Sequence, residues 1–426
     1  MTSIAAPIWF RGTPLRAKKL FIGATHRTVS PEDTLERIRP HFRAAGLTRL
    51  ADVTGLDRIG IPTAIGYRPN SPTLSSSAGK GFTLAAAMAS GAMEGIEMFH
   101  AENVRLPTVR ASYDDLAARG PAVARERLSL TKGSLFRASH PEFWVYGWDL
   151  PSQREIAVAY NAVSMAAHPD QRPRGWMPFS MSSNGLASGN HLLEAICAAL
   201  LEAIERDALA CHTVASKTAR HVLMPVALET ITSPMVRDLL QQFQEARVGT
   251  VLYDLRVDTD VPVYMARIYD RVDRHVGIYS GYGAHLDPAV AQIRALTEAA
   301  QSRLIYIAGS RDDYFRHDHL KHRGADSSDQ VRLLEAAPGA VDASRLASEA
   351  TGTFEEDIAV LCGKLSRCGL DQIVVADLTR EEMGIPVVRV IVPGLEAYPH
   401  FAHFAPGRRA SAFAATINRD QMERAS

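Results

Sequence analysis

The sequence predicts an α+β protein, with mixed or antiparallel sheets and long helices that carry clustered glutamates. Three observations predict it. Strand-like runs occur as neighbours: "VGTVLYDLRV" and "VPVYMARIYD" are separated only by "DTD", the pattern of a hairpin. Long helical stretches follow glycine-containing segments near residues 79, 185 and 283. Those helices are apolar on nearly every side yet hold glutamates, as in "HLLEAICAALLEAIERD".

In chain order, the first twenty residues read as irregular. "SPEDTLERI" starts a helix, with Ser30 as cap, Pro31 at the first position and acids in the first turn. "LADVTGLDRIGIPTAIGYRP" alternates and reads as strands and turns. "SSSAGKGFTLAAAMASGAMEGIEMFHAE" reads as a Ser/Gly loop entering an alanine-rich helix. "FWVYGWDL" and "EIAVAYNAVSM" read as strands, and a long helix begins at Leu192. "HVGIYSGYGAHLDP" gives a strand and turn before the helix "AVAQIRALTEAAQSRLIYIAG". Residues 309–356 are polar and read as an exposed insertion or linker. A helix around "FEEDIAVLCGKLSRCG" and the strands "QIVVADLT" and "VVRVIVPGLE" close the folded part. The domain organisation expected is an irregular segment 1–20, one domain over 21–405, and an irregular tail 406–426.

Composition limits the function. Lysine plus arginine equals aspartate plus glutamate at 47 each, so no global field draws the 426-residue chain to nucleic acid. Four cysteines do not make a disulfide framework, and "CGKLSRC" matches no common zinc spacing. The N-terminus lacks the charge order of a secretory signal, and no run of eighteen apolar residues occurs. The expectation is a soluble, cytoplasmic protein with no membrane contact.

The glutamates carry the chemistry. At about 100 degrees per residue, Glu205 lies about 20 degrees from Glu194 and Glu202 about 80 degrees, so the three share one side. Glu94 and Glu97, spaced i, i+3, are neighbours on their own helix. Buried ionised carboxylates are unfavourable by several kcal/mol unless compensated, either by protons or by a hard divalent cation. Magnesium fits such oxygen ligands and is commonly shared with substrate phosphates, which points to a nucleotide. The glycines of "SAGKG" and "SNGLASGN" would then turn backbone N–H groups toward an anion, although neither segment is a Walker loop. Arg294, Glu298 and Gln301 fall at i, i+4, i+7, and Arg294 could grip a phosphate. The bland alternatives are an exposed acidic face and a surface salt bridge.

Together, "GKGFTLAAAMASGAMEGIE", "NGLASGNHLLEAICAALLEAIERDA" and "GAHLDPAVAQIRALTEAAQSR" resemble the ATP-site segments of the YcaO family, in that family's order. The resemblance runs from about residue 20 to about residue 400. It implies the YcaO-type fold, with ATP and Mg2+ as cofactors. It implies Glu94, Glu97, Glu194, Glu202 and Glu205 as metal ligands. It also implies Arg27, Thr34, Lys80, Asn184, Glu194, Arg206, Arg294, Glu298 and Gln301 as ATP-binding positions, and singles out no catalytic residue. One departure is Met98, where family members often follow the second glutamate with arginine.

Family members phosphorylate a peptide amide oxygen after a nucleophile adds to the carbonyl. The chain lacks the Pro-x-Pro-x-Pro ending typical of azoline formers, and "GATHRTVSPEDTLERIRPHF" with "ADVTGLDRIGIP" resembles the members that work with a TfuA protein. The resemblance therefore implies thioamide formation on a precursor peptide or protein, with a TfuA-like partner. The alternatives are an azoline-forming cyclodehydratase and a non-catalytic nucleotide-binding accessory protein. A homodimer is the default assembly.

Overall fold

The computed structural model describes residues 6–166, 168, 170, 178–273, 277–313, 325–400 and 404–425. The N-terminal segment, expected to be irregular, is a hairpin of β1 (Ile8–Phe10) and β2 (Thr13–Leu15). Arg11 and Gly12 turn it, both with positive φ, the geometry a two-residue hairpin favours. Phe10 and Ala17 are buried in the main core, and the Ala17 amide donates to Glu355 at 2.8 Å. Burial of these apolar residues is what orders the segment.

Strands β3 (Phe21–Ile22) and β4 (His26–Arg27) form a second short ribbon. Helix α1 (Pro31–Ile38) starts as its sequence requires, with the Asp33 amide donating to the Ser30 hydroxyl at 3.1 Å. A three-stranded antiparallel sheet follows, of β5 (Arg49–Asp52), β6 (Thr63–Tyr67) and β7 (Ser76–Lys80), and α2 (Leu84–Glu102) lies across it. "SAGKG" was expected to be a loop, and most of it is the edge strand β7. The reason is packing: a Cβ on Gly79 would stand 2.0 Å from the Ala87 carbonyl oxygen, so only glycine lets β7 lie this close to α2.

Next come β8 (Val109–Ser112), α3 (Tyr113–Arg119), β9 (Pro141–Asp149), β10 (Arg154–Ala159), α4 (Tyr160–Val163), β11 (Leu186–Ser188) and α5 (Leu192–Thr218). Helix α6 (Pro234–Glu245) leads to the sheet of β12 (Val248–Asp254), β13 (Val263–Asp270) and β14 (Ile278–Ala284), covered by α7 (Pro288–Ala308). The "DTD" hairpin pairs antiparallel as expected, with Asp254 opposite Tyr264. Helices α8 (Ala325–Ala336) and α9 (Phe354–Arg367) precede β15 (Val374–Asp377), β16 (Val387–Ile391) and α10 (Arg408–Ala425).

The largest sheet runs β10–β9–β15–β16–β11, with β8 on β9. Every ladder between these strands is antiparallel. The 27-residue α5 packs against β11, β14, β16, α9 and α10, which explains its all-round apolar sequence. Two expectations need correction. The tail beyond residue 405 is the helix α10, whose Ala410 and Ala414 bury against Cys211, Val214 and Ala215 of α5. The stretch 309–356 is only partly exposed, because Val331 and Leu334 of α8 enter the main core. Its histidine-rich centre lies largely outside the described residues.

The sheet–helix units β7–α2 and β14–α7 repeat one design. Added Cβ atoms on Gly281 and Gly283 would meet the Ala295 and Ala291 carbonyl oxygens at 2.3 and 2.2 Å, as Gly79 would meet Ala87. Both units therefore bring an edge strand into backbone contact with a glutamate-bearing helix.

Candidate functional site

That close approach has a chemical result. The Ala78 amide of β7 donates to Glu94 on α2 at 3.0 Å, and the Tyr282 amide of β14 donates to Glu298 on α7 at 3.3 Å. On β11, Ser188 donates to Glu97 through its amide at 2.8 Å and its hydroxyl at 2.6 Å. Near β4, Thr28 grips Glu194 of α5 in the same double fashion, at 2.9 and 2.7 Å. The amides of the glycine segments, expected to face a bound anion, donate to the protein's own carboxylates.

The helices bring Glu94, Glu97, Glu202, Glu205 and Glu298 into one electrostatic circuit. Glu94 and Glu202 act on Glu97, Glu205 on Glu202, and Glu298 on both Glu205 and Glu94. Burial, then this like-charge crowding, pushes Glu97 up to about 8 despite the Ser188 bonds. Burial also raises Glu202 to about 7, against the pull of Arg206. Glu205 is raised by burial, and its sealed Oε2 has no partner among the described residues. Glu94 reaches water at its outer side but is crowded by protein mass, and its pKa also rises.

Cations face this circuit. The Lys80 ammonium donates to Glu298 at 2.6 Å. Burial works against the charge of Glu298, yet Lys80, Arg206 and Arg294 outweigh it and hold its pKa below the usual value. Arg294 has a buried Nε without a partner among the described residues. Arg206 approaches Glu205 at 3.6 Å and lies over the Tyr398 ring, 4.8 Å from its centroid. Gln301 is buried on α7, three residues beyond Glu298.

The remaining expected residues take other places. Glu194 is held by Thr28 and by Arg27 at 3.6 Å. The Thr34 hydroxyl donates to the Ser30 carbonyl at 2.8 Å and accepts from Asn190 at 3.0 Å, so it is engaged inside the α1 cap. Asn184 is half-buried in the turn before β11, beside Gly185 with its positive φ.

Several groups at the site give little signal in the sequence. Thr28 and Ser188 orient carboxylates and carry no motif of their own. Asn190, beside Thr34, keeps a sealed Oδ1 with no partner among the described residues. Arg389 is the clearest omission. It is buried in β16, donates to the carbonyls of Ala162 and Ser182, and has an Nη1 with no partner among the described residues. Burial lowers it to about 10, and Glu202 opposes that shift. A lone arginine inside "VVRVIV" was the available signal.

The donor set fits magnesium and a nucleotide. Its oxygens are hard ligands, and its orphaned atoms, Glu205 Oε2 and Arg294 Nε, are one acceptor and one donor awaiting a partner. Among the described residues no three of these glutamates bring ligand oxygens within 4.8 Å of one another. A metal here would complete its shell with water and phosphate, the usual habit of magnesium. His26, His285 and Asp357 do cluster within that distance. There the cation seat is taken by Lys19, whose ammonium is 2.5 Å from Asp357 and 3.2 Å from His26.

Comparison with known proteins identifies the family. A family model described as YcaO cyclodehydratase, ATP- and Mg2+-binding, matches residues 78–396. An uncharacterized protein of Methanothermobacter thermautotrophicus is 36% identical over 381 residues, covering 87% of this chain and 95% of that protein. A Rhizobium leguminosarum bv. trifolii protein, described as lying in the tfuA 3′ region, is 35% identical over 379 residues, covering 87% and 88%. Among solved structures, YcaO from Methanopyrus kandleri bound with AMPPCP and Mg2+ has a TM-score of 0.70 at 25% identity, covering 92% and 98%. A heterocyclase in complex with substrate and cofactor has a TM-score of 0.77 at 23% identity and shares the fold. This chain, 95% covered, spans 56% of that heterocyclase's length. Among the described residues, no helix is long and apolar enough to cross a membrane.

Proposed function

The chain belongs to the YcaO family of ATP- and Mg2+-binding proteins, and we propose that it phosphorylates a peptide backbone amide and replaces the amide oxygen by sulfur. The observation that carries the ATP half of this reading is the carboxylate circuit on α2, α5 and α7, with its orphaned Glu205 and Arg294 atoms. The tfuA neighbourhood of the Rhizobium relative supports the sulfur half and a TfuA-like partner.

In this reading Glu94, Glu97, Glu202 and Glu205 would hold magnesium. Arg294 and Arg206 face the phosphates, and Lys80 keeps Glu298 ionised beside them. Glu194, Arg27, Thr34, Asn184 and Gln301 border the nucleotide. ATP supplies the phosphoryl group that turns a poor leaving oxygen into a good one, and Mg2+ balances its charge. Hydrosulfide would form a C–S bond at the carbonyl carbon as the C=O π pair moves to oxygen. That oxygen would take the terminal phosphoryl group, releasing ADP. Loss of the S–H proton would then form C=S as the C–O bond breaks and phosphate departs. The protein's part is to place cations where negative charge develops, in a recess of low dielectric. Ser188 and Thr28 meanwhile fix the carboxylates, so little reorganisation is needed on binding.

Two expected results test this. Millimolar ATP with Mg2+ should raise the melting temperature by mass-action linkage, and Mg2+ alone should do so less. No shift with the pair would remove the nucleotide site. Incubation with ATP, Mg2+, sulfide, a TfuA-like protein and a candidate peptide should raise the peptide mass by the difference between sulfur and oxygen. Loss of water instead would assign azoline formation, and ATP binding with neither product would assign the accessory role.

A further inference from the structure

Arg206 is followed on α5 by Asp207, which is fully buried and faces the C-terminal helix. A rotation of about 100 degrees separates successive helical residues, so adjacent positions can serve different surroundings. Asp207 accepts from the Glu396 amide at 2.9 Å. It also accepts a bidentate pair from Arg409 in the first turn of α10, Nε to Oδ1 at 3.0 Å and Nη2 to Oδ2 at 2.9 Å. Arg409 is fixed a second time by Asp258, at 2.6 and 3.1 Å.

Glu396 locks the other side. Its carboxylate accepts from the Gly407 amide at 2.7 Å and the Ala410 amide at 2.9 Å, satisfying free N–H groups at the start of α10. Three pieces of chain therefore meet at Asp207: α5, the segment at Glu396, and α10. Two residues beyond Glu396, the Tyr398 ring lies under the Arg206 guanidinium, 4.8 Å from centroid to Cζ. The Asp207–Glu396 bond sets the register that puts the ring there.

We propose that Tyr398 and Arg409 are positioning residues for Arg206, so that the C-terminal helix α10 sets how well the site grips a nucleotide's phosphates. The proposal rests on the reading of Arg206 as a phosphate-facing group. An arginine loses several rotatable bonds of freedom on binding an anion, and a ring that already restricts the guanidinium removes part of that loss beforehand. The ring face also attracts the cation without competing for its N–H donors. Arg409 acts at one remove, by anchoring Asp207 and with it the Glu396–Tyr398 segment.

The test measures Mg·ADP affinity by calorimetry, and KM and kcat for ATP, on full-length Y398A, Y398F, R409Q and R206Q. Y398A and R409Q should weaken nucleotide binding and raise KM by roughly three- to tenfold, with kcat moved less. Y398F should bind like the unaltered protein, because it keeps the ring and loses only the hydroxyl. Wild-type affinity in both Y398A and R409Q, alongside loss in R206Q, would overturn the brace while leaving the nucleotide site standing. Wild-type affinity in R206Q itself would instead remove the reading on which the brace rests. Equal damage from Y398F and Y398A would overturn the stacking role. Should R409Q fail to fold, the Tyr398 pair decides the matter alone.

Discussion

Glu202→Gln should abolish ATP hydrolysis, by on the order of a hundredfold or more, in a protein that remains folded. Glu202 lies at the centre of the carboxylate circuit, between Glu97 and Glu205 in their mutual effects. Burial raises it to about 7, so at neutral pH its charge is already disfavoured in the metal-free protein. Glutamine keeps the shape and removes that charge. The substitution should therefore leave the metal-free melting temperature unchanged or raise it, as expected where function holds a group in an unfavourable setting. The gain in melting temperature from Mg2+ and nucleotide should shrink in the same variant. Turnover at the original rate would take Glu202 out of the site. A lowered metal-free melting temperature would show instead that Glu202 supports the fold.

Much of this arrangement could be read from residue order. Apolar helices carrying isolated glutamates have few explanations, because burying an uncompensated carboxylate is so unfavourable. Glu94, Glu97, Glu194, Glu202 and Glu205 therefore stand out in the sequence, whereas Glu298 reads there as the partner of Arg294. The groups that hold these carboxylates do not stand out. Ala78 and Tyr282 reach the carboxylates through backbone amides, which every residue except proline possesses, so the side chains at those positions give no signal. The Ser188 hydroxyl that joins its own amide on Glu97 belongs to no motif. The glycines misled for a related reason. Gly79 serves a close strand–helix contact, and a local sequence cannot tell that need from the need for an anion-facing loop. The tail was misread because α10 is stabilised by a distant surface. Its alanines are buried only against Cys211, Val214 and Ala215, and its N-terminus is capped by Glu396. Tertiary contacts of that kind override weak local periodicity.

Affinity for Mg2+ and nucleotide should fall steeply as pH drops from 8 to 6. Glu97 at about 8 and Glu202 at about 7 both hold protons at pH 6 in the metal-free protein, and a metal must displace them. Below both values, each displaced proton weakens binding by up to about tenfold per pH unit. The sign for stability is opposite. These groups have folded-state pKa values raised above their unfolded ones. Their contribution to metal-free stability is thus full below about 4.5, the ordinary glutamate range, and is lost as pH rises through 7 and 8. Metal-free protein should accordingly lose melting temperature over that window, while the gain from Mg·ADP grows. Glu298 takes no part, since Lys80 keeps its pKa low enough for it to stay charged throughout. Calorimetry in buffers of different ionisation enthalpy should record proton release on binding, larger at pH 6 than at pH 8. Glu97→Gln should remove part of that release, which separates the protein's protons from those of the nucleotide's terminal phosphate. An affinity that stays level between pH 6 and 8, or a release unchanged in Glu97→Gln, would mean that these carboxylates do not meet the metal.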